Sequence, residues 1–171
     1  MFRIKPIEGL PDLHEAMKQL TCYLVMLKHL PPILTPELLH ALASMGHGDD
    51  LVLVDAHFPA SRVAQQGHAR LVRMPGLTVS QVLDAVLQVL PLDTFGPACG
   101  WTMEVVGDAQ AVPPAVHEFR QQLAAQGRQD VATLERYAFY EQARQAYVIV
   151  QTGDLRTYAN LLLRKGVLGH G

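Results

Sequence analysis

The sequence predicts a single α/β domain, a central β-sheet covered by helices, on three observations. Short β-branched apolar runs alternate with helical segments along most of the chain, the pattern of a sheet clothed by helices rather than of a sandwich or a bundle. The helical segments carry recognisable start signals. At 171 residues the chain fits one domain with a real core, and no repeat, low-complexity tract or Gly/Ser linker divides it.

The elements follow in order. Residues Asp12 to Leu27 place Leu13, Ala16, Met17, Leu20, Leu24 and Leu27 at helical spacing behind Asp12 as N-cap, an accessory helix at the chain start. Thr35-Pro36-Glu37 supplies an N-cap, a proline at the first helical position and an acid near the positive helix end, so a helix runs to about Ser44. Gly46 and Gly48 stop it around His47, and LVLVD, Leu51 to Asp55, is a buried strand. Ala69 to Arg73 is a second strand. Thr78 with Gln81 forms a capping box before a helix through Leu90. Trp101 to Val106 is a third strand, Pro113-Pro114 opens a helix through Gln122, and Val131 to Leu134 is a short strand. A helix from Arg136 to Ala146, a strand over YVIVQTG and a last strand ending near Gly166 complete the chain.

Composition excludes several functions. Apolar runs are broken well before the ~20 residues a membrane span needs, and a net charge of −2 without a Lys/Arg block argues against a nucleic-acid surface, which needs a clustered positive footprint. Neither a membrane nor a nucleic acid is an expected partner. Cys22 and Cys99 stand far apart and in no CxxC spacing, and MFRIKPIEGL lacks the charged start and apolar core of a secretory signal. A cytoplasmic location is the expectation.

Reactive side chains concentrate in GHGDDLVLVDAHFPA, residues 46 to 60, with His47 before a strand and Asp55 at its end. Ligands of α/β sheets gather beyond the carboxyl ends of strands, which puts Asp55 and the loop Ala56-His57-Phe58-Pro59 on the expected rim. A five-residue strand spans about 17 Å, too far for His47 and Asp55 of one chain to share a small ligand, so assembly across a subunit interface is the expectation. His57 has a plain alternative as a loop histidine bonded to nearby backbone, and Asp55 one as a strand-end cap. His47, Asp49, Asp50, Asp55 and His57 are all potential metal ligands, yet no HExxH or His-x-His spacing joins them, and no metal is expected. Phosphate and dinucleotide loops and a G-x-S-x-G elbow are absent too.

A second concentration lies in residues 135 to 166. Arg136 and Asn160 suit the bidentate bonding of neighbouring hydroxyls, and Tyr137, Tyr140 and Tyr158 offer a phenol and an apolar face to a sugar ring. Their plain alternatives are an ion pair of Arg136 with Glu135 or Glu141 and core packing of the tyrosines.

Three stretches, MLKHLPPILTPELLHALASMGHGDDLVLVDAHFPA, RYAFYEQARQAYVIVQTGD and YANLLLRKGV, resemble the L-fucose mutarotase and D-ribose pyranase family, over roughly residues 26 to 167. The family start corresponds to Met26, which divides the chain into an N-terminal extension, 1–25, and a mutarotase domain, 26–171. The resemblance implies an isomerase that interconverts the α and β anomers of L-fucose by acid–base ring opening, without cofactor. It implies His47 as catalytic histidine, Asp55 as a sugar-binding carboxylate and Tyr158-Ala159-Asn160 as a sugar-binding tripeptide. Arg136 matches the fucose branch where the ribose branch tends to have histidine, whereas Ala159 fits either. On this reading His47 donates a proton, Asp55 and Arg136 hold hydroxyls, Tyr158 and Asn160 orient the ring, and Tyr140 is a candidate for the second proton relay. The family also implies ring-like homo-oligomers, decamers among them, with sites between subunits. The alternatives are a D-ribose pyranase and a non-catalytic sugar-binding or transport-accessory module.

Overall fold

The computed structural model describes residues 27–168. Residues 1–25, expected to be an N-terminal extension, and nearly all of the helix expected over Asp12 to Leu27 lie outside the described residues.

Among the described residues, six strands form one sheet and five helices cover both its faces. In chain order they are α1 (Pro36–Ser44), β1 (Asp50–Val54), α2 (Ala60–Gly67), β2 (Arg70–Met74), α3 (Val79–Leu87), β3 (Gly100–Met103), α4 (Pro114–Ala125), β4 (Val131–Leu134), α5 (Arg136–Arg144), β5 (Val148–Thr152) and β6 (Leu161–Arg164). The sheet order is β2-β5-β1-β6-β3-β4. Only β6 runs against its neighbours β1 and β3; the other pairings are parallel.

The start signals act as the sequence predicts. The Thr35 hydroxyl accepts from Leu38 N at 3.2 Å, and Thr78 and Gln81 exchange both bonds of the capping box. Strand alternation then divides the core. Leu51 and Leu53 face α1, α3 and α4, whose Leu38, Leu83 and Phe119 meet them, while Val52 and Val54 face α2 and α5, whose Val63 and Phe139 fill the other layer. Burying a side chain of this size contributes roughly 1.5–3 kcal/mol, so both layers hold β1 at the centre. Among the described residues no helix is long and apolar enough to cross a membrane.

The structure adds α2, which the sequence reading leaves unassigned. Its eight residues follow Pro59 without a side-chain cap and bury only Ala60, Val63 and Ala64, so tertiary packing rather than a local start signal makes it a helix. Gly67 is what lets α2 lie against α5, because a Cβ there would sit 1.6 Å from Arg144 O. The third strand is shorter than expected: it ends at Met103, although Glu104 N still bonds Leu134 O at 2.8 Å. The helix expected through Leu90 ends at Leu87.

The reversal of β6 determines what the sheet brings together. With Leu53 opposite Leu161 and Asp50 opposite Arg164, residues 158–160 enter β6 at the edge where β1 leaves, while Lys165 returns to the edge that carries His47. Lys165 Nζ binds the carbonyls of Leu42 and Met45 at the end of α1, and its own carbonyl accepts from Gly48 N. Gly48, at φ +85°, makes the turn that a residue with a Cβ takes only under strain.

Candidate active site

At the carboxyl edge, Asp55, His57, Phe58, Met103, Arg136 and Tyr140, with Thr157, Tyr158 and Asn160, line a cleft of about 190 Å³. Five of the seven site residues read from the sequence, Asp55, Arg136, Tyr140, Tyr158 and Asn160, thus meet in one place. Small-molecule sites occupy roughly 300–1,000 Å³. One chain supplies less than that.

Asp55 is the anchor. Its Oδ1 accepts from His57 N and Phe58 N, both at 2.9 Å, and its Oδ2 accepts from Asn160 Nδ2 at 2.9 Å. Asn160 Oδ1 accepts in return from Asp55 N at 3.2 Å. The strand-end cap and the sugar-binding carboxylate are therefore one group, with three acceptor positions filled and room for a ligand hydroxyl. Burial dominates its titration and raises its pKa above the ordinary aspartate value, against the lowering effect of those three donors.

Arg136 opens α5 with no carboxylate partner among the described residues. Glu135 is occupied as the N-cap, accepting from Tyr137 N and Ala138 N, and Glu141 pairs with Arg144. The Arg136 guanidinium instead stacks over the Tyr137 ring at 4.9 Å and donates to its hydroxyl at 3.0 Å, while its Nε is buried without a partner. With no carboxylate to occupy it, the guanidinium keeps donors for a ligand in the cleft that it lines. Tyr140 packs edge-on against Phe58 with ring centroids 5.2 Å apart. Tyr158 takes φ +62°, an outlier for a bulky residue, and its hydroxyl accepts from Val106 N at 3.2 Å. Strain of this kind collects at functional sites. Ala159 does not line the cleft: its methyl packs in the α1/α3/α4 core, leaving only its backbone to serve the tripeptide.

His47 lies at the opposite edge of the sheet, before β1, at the mouth of an apolar groove lined by Leu39, Leu42, Met45 and Leu90. Its ring is 48% exposed and its Nε2 is 3.2 Å from Asp93 Oδ1. Phe95 meets the ring edge-on at 5.4 Å. Asp93 is buried, and burial pushes its carboxyl up, but bonds from Phe95 N, His47 and Gly96 N outweigh that and leave its pKa lowered. Sequence reasoning missed Asp93. A carboxylate accepts only, so Nε2 keeps its hydrogen toward Asp93 and Nδ1 is the nitrogen left to exchange a proton with a substrate.

A second network braces the cleft loop. Arg156 bridges Asp154 Oδ2 and Glu118 Oε1, each at 2.8 Å, and Asp154 also accepts from Val79 N at 3.1 Å. Burial raises the Asp154 carboxyl, but bonds from Arg156 outweigh it, and Glu118 is lowered by Ser80 and Arg156. Carboxylates lowered on folding stabilise above their unfolded values and lose that contribution only as pH falls through the folded ones. Asp55, raised, takes its proton at higher pH. Acidification is therefore expected to remove ligand binding at the cleft while the fold persists. A ligand titration and a near-ultraviolet circular dichroism titration check this, and coincident midpoints would contradict it.

A three-layer α/β domain with hydroxyl-matching polar groups in a carboxyl-edge cleft falls in the class of small-molecule-binding α/β proteins. Comparison narrows the class: the RbsD / FucU transport protein family matches residues 28–168, and the chain belongs to that family. The fucose mutarotase of Homo sapiens is 44% identical over 149 residues, covering 85% of this chain and 96% of that protein. The fucose mutarotase of Bos taurus is 43% identical over 148 residues, covering 85% and 96%. Among solved structures, the fucose mutarotase from Streptococcus pneumoniae in complex with L-fucose superimposes with a TM-score of 0.77 at 36% identity, covering 84% of this chain and all of that one. Bacillus subtilis RbsD complexed with D-ribose, at 21% identity and a TM-score of 0.65 over 84% of this chain and 100% of its own, shares the fold.

Proposed function

We propose that this protein is a fucose mutarotase, an isomerase interconverting the α and β anomers of L-fucose. The observation that carries the reading is the identity of 44% to a fucose mutarotase over nearly its whole length, and the cleft supports it with side chains suited to vicinal hydroxyls. Asp55 and Arg136 hold hydroxyls, and Tyr158 and Asn160 orient the ring. His47 delivers a proton to the ring oxygen, the C1–O5 bond breaks as the anomeric hydroxyl loses its proton, and the aldehyde recloses on either face. Tyr140 is the sequence-derived candidate at the second proton position.

His47 and the cleft stand at opposite edges of one sheet, so a second copy completes each site. Supporting this, exposed apolar side chains flank both halves: Phe95 beside His47, and Leu155, Tyr137 and Val106 around the cleft. A closed ring of copies, a decamer in the family pattern, satisfies both edges of every subunit. The same reading places the protein in the cytoplasm, with residues 26–171 as the mutarotase domain and 1–25 as an extension.

Saturation-transfer NMR on L-fucose, D-ribose and D-galactose tests the proposal. Accelerated exchange between fucose anomers is expected. Acceleration confined to ribose would make the chain a pyranase instead, and sugar binding without exchange would make it a binding module.

A further inference from the structure

We infer that residues 12–27 dock as an amphipathic helix in the apolar groove beside His47 of their own chain. The groove runs between α1, the turn at 88–92 and the chain that follows β6. Leu30, Leu39, Ala43, Val89, Leu90 and Leu168 are among its walls, which enclose about 480 Å³. A second hollow of about 370 Å³ shares Val89, Leu90, Pro91 and Leu168 with it, so the groove is elongated. Leu39 and Val89 are only partly buried, and Val167 and Leu168 stay 49% and 80% exposed. Lys165, the cation among the walls, is turned onto the carbonyls of Leu42 and Met45. The trough that remains is apolar, and the apolar face of a helix is the kind of surface such a trough takes.

The chain itself supplies the occupant. The described residues begin at Leu27, 60% exposed, and Leu30 is already a wall of the groove. Between them His29 takes φ +65°, the left-handed conformation in which helices commonly end, and Pro31-Pro32 follows, as proline often does just past a helix. A helix stop on the described chain thus stands where the sequence places the end of a helix. Leu13, Ala16, Met17, Leu20, Leu24 and Leu27 form one stripe of that helix, with Glu15, Lys18 and Cys22 on the opposite side. At 1.5 Å per residue it is about 24 Å long, and its end is tied to the groove wall at Leu30. The tether makes docking intramolecular, at an effective concentration of order mM for a short linker, which favours this segment over a second copy or a free partner.

The family match begins at residue 28, so the segment lies outside the shared domain and the groove inside it. Docking places the helix at the His47 edge, since His47 lines the same groove, and away from the cleft at the opposite edge. The inference stands whichever sugar the cleft takes.

Thiol labelling of the full, folded chain tests it. Cys99 is buried. Cys22, on the outward side, should react freely with a thiol reagent. A cysteine in the stripe, Leu20→Cys in a Cys22→Ser background, should react at least about tenfold more slowly, the protection a docked segment gives. Ala43 is exposed on the groove wall, so Ala43→Arg fills the groove and spares the core; it should restore fast labelling at position 20. The same change at exposed Ala124, outside the groove, should not. Hydrogen exchange covers the case in which the position-20 cysteine itself loosens docking: with the stripe intact, Ala43→Arg should speed amide exchange over 12–27 and Ala124→Arg should leave it unchanged. A bis-maleimide joining Leu20→Cys to Ala43→Cys, again with Cys22→Ser, should give a product of single-chain mass. Exchange over 12–27 that ignores Ala43→Arg overturns the docking site. A linked product of two-chain mass puts the segment in the groove of a second copy and overturns the assignment to its own chain.

Discussion

Replacing His47 by alanine is expected to lower the rate of fucose anomer exchange about 10²–10⁴-fold, the contribution of one positioned acid–base group, while the protein stays folded and still binds the sugar. The ring is half exposed and contacts Asp93 and Phe95 rather than the core. Its removal leaves Asp93 bonded by Phe95 N and Gly96 N at 3.2 Å each. The hydroxyl anchors are at the other edge of the sheet, so KM should change far less than kcat, the signature of an interaction made only in the transition state. The geometry adds a stronger form of this prediction. If each site pairs the His47 edge of one copy with the cleft of the next, two inactive variants, His47→Ala and Asp55→Ala, should regain part of the activity when unfolded and reassembled together. Exchange NMR on the mixed and separate preparations checks it. An alanine variant as fast as the parent would remove His47 from the mechanism, and failure of mixing to restore any activity would remove the shared site.

Much of the fold was legible because its signals are local. Thr35-Pro36-Glu37, the Thr78/Gln81 box and Pro113-Pro114 each fix a helix start within a few residues, and the apolar runs mark strands that both core layers bury. The element without such a signal, α2, was the one missed. Strand order was not readable, because the pairing of β1 with β6 joins residues more than a hundred positions apart. That pairing is what brings Asp55 to Asn160. The residue types of the site were therefore visible, and their meeting was visible only through family resemblance.

Asp93 went unread for a related reason. Its loop, Leu92 to Gly96, carries no hydrophobic period, and its one local sign is the carboxylate folding back on Phe95 N and Gly96 N in the manner of an Asx turn. Its contact with His47 spans 46 residues. Ala159 shows the reverse error of scale: a matching tripeptide implies three neighbours at a site, but the side chain of the middle one packs in the core.

Asp55→Ala should do more damage to both stability and binding. The N–H groups of His57 and Phe58 lose their common acceptor, and the Asn160 amide loses its own; a buried donor left unsatisfied costs about 1–3 kcal/mol. Two of the three donors belong to buried residues, Phe58 and Asn160. An opposing contribution exists. Because burial raises the Asp55 carboxyl, the charged group costs the fold stability at neutral pH, a cost that starts to shrink as pH falls through the raised value, is gone below the ordinary aspartate value of the unfolded chain, and is removed by alanine at every pH. The net expectation is a loss of about 2–4 kcal/mol from the unpaired donors less the relieved charge, or roughly 2–4 °C in melting temperature for each kcal/mol in a chain of this size. Asp55→Asn separates the two effects: its carbonyl can still receive His57 N and Phe58 N, so it should melt closer to the parent while losing the anionic acceptor that a sugar hydroxyl requires. Thermal melts with and without L-fucose read both. Fucose-induced stabilisation that survives in both variants would mean that Asp55 only caps β1, and the sugar would then have to be held elsewhere in the cleft.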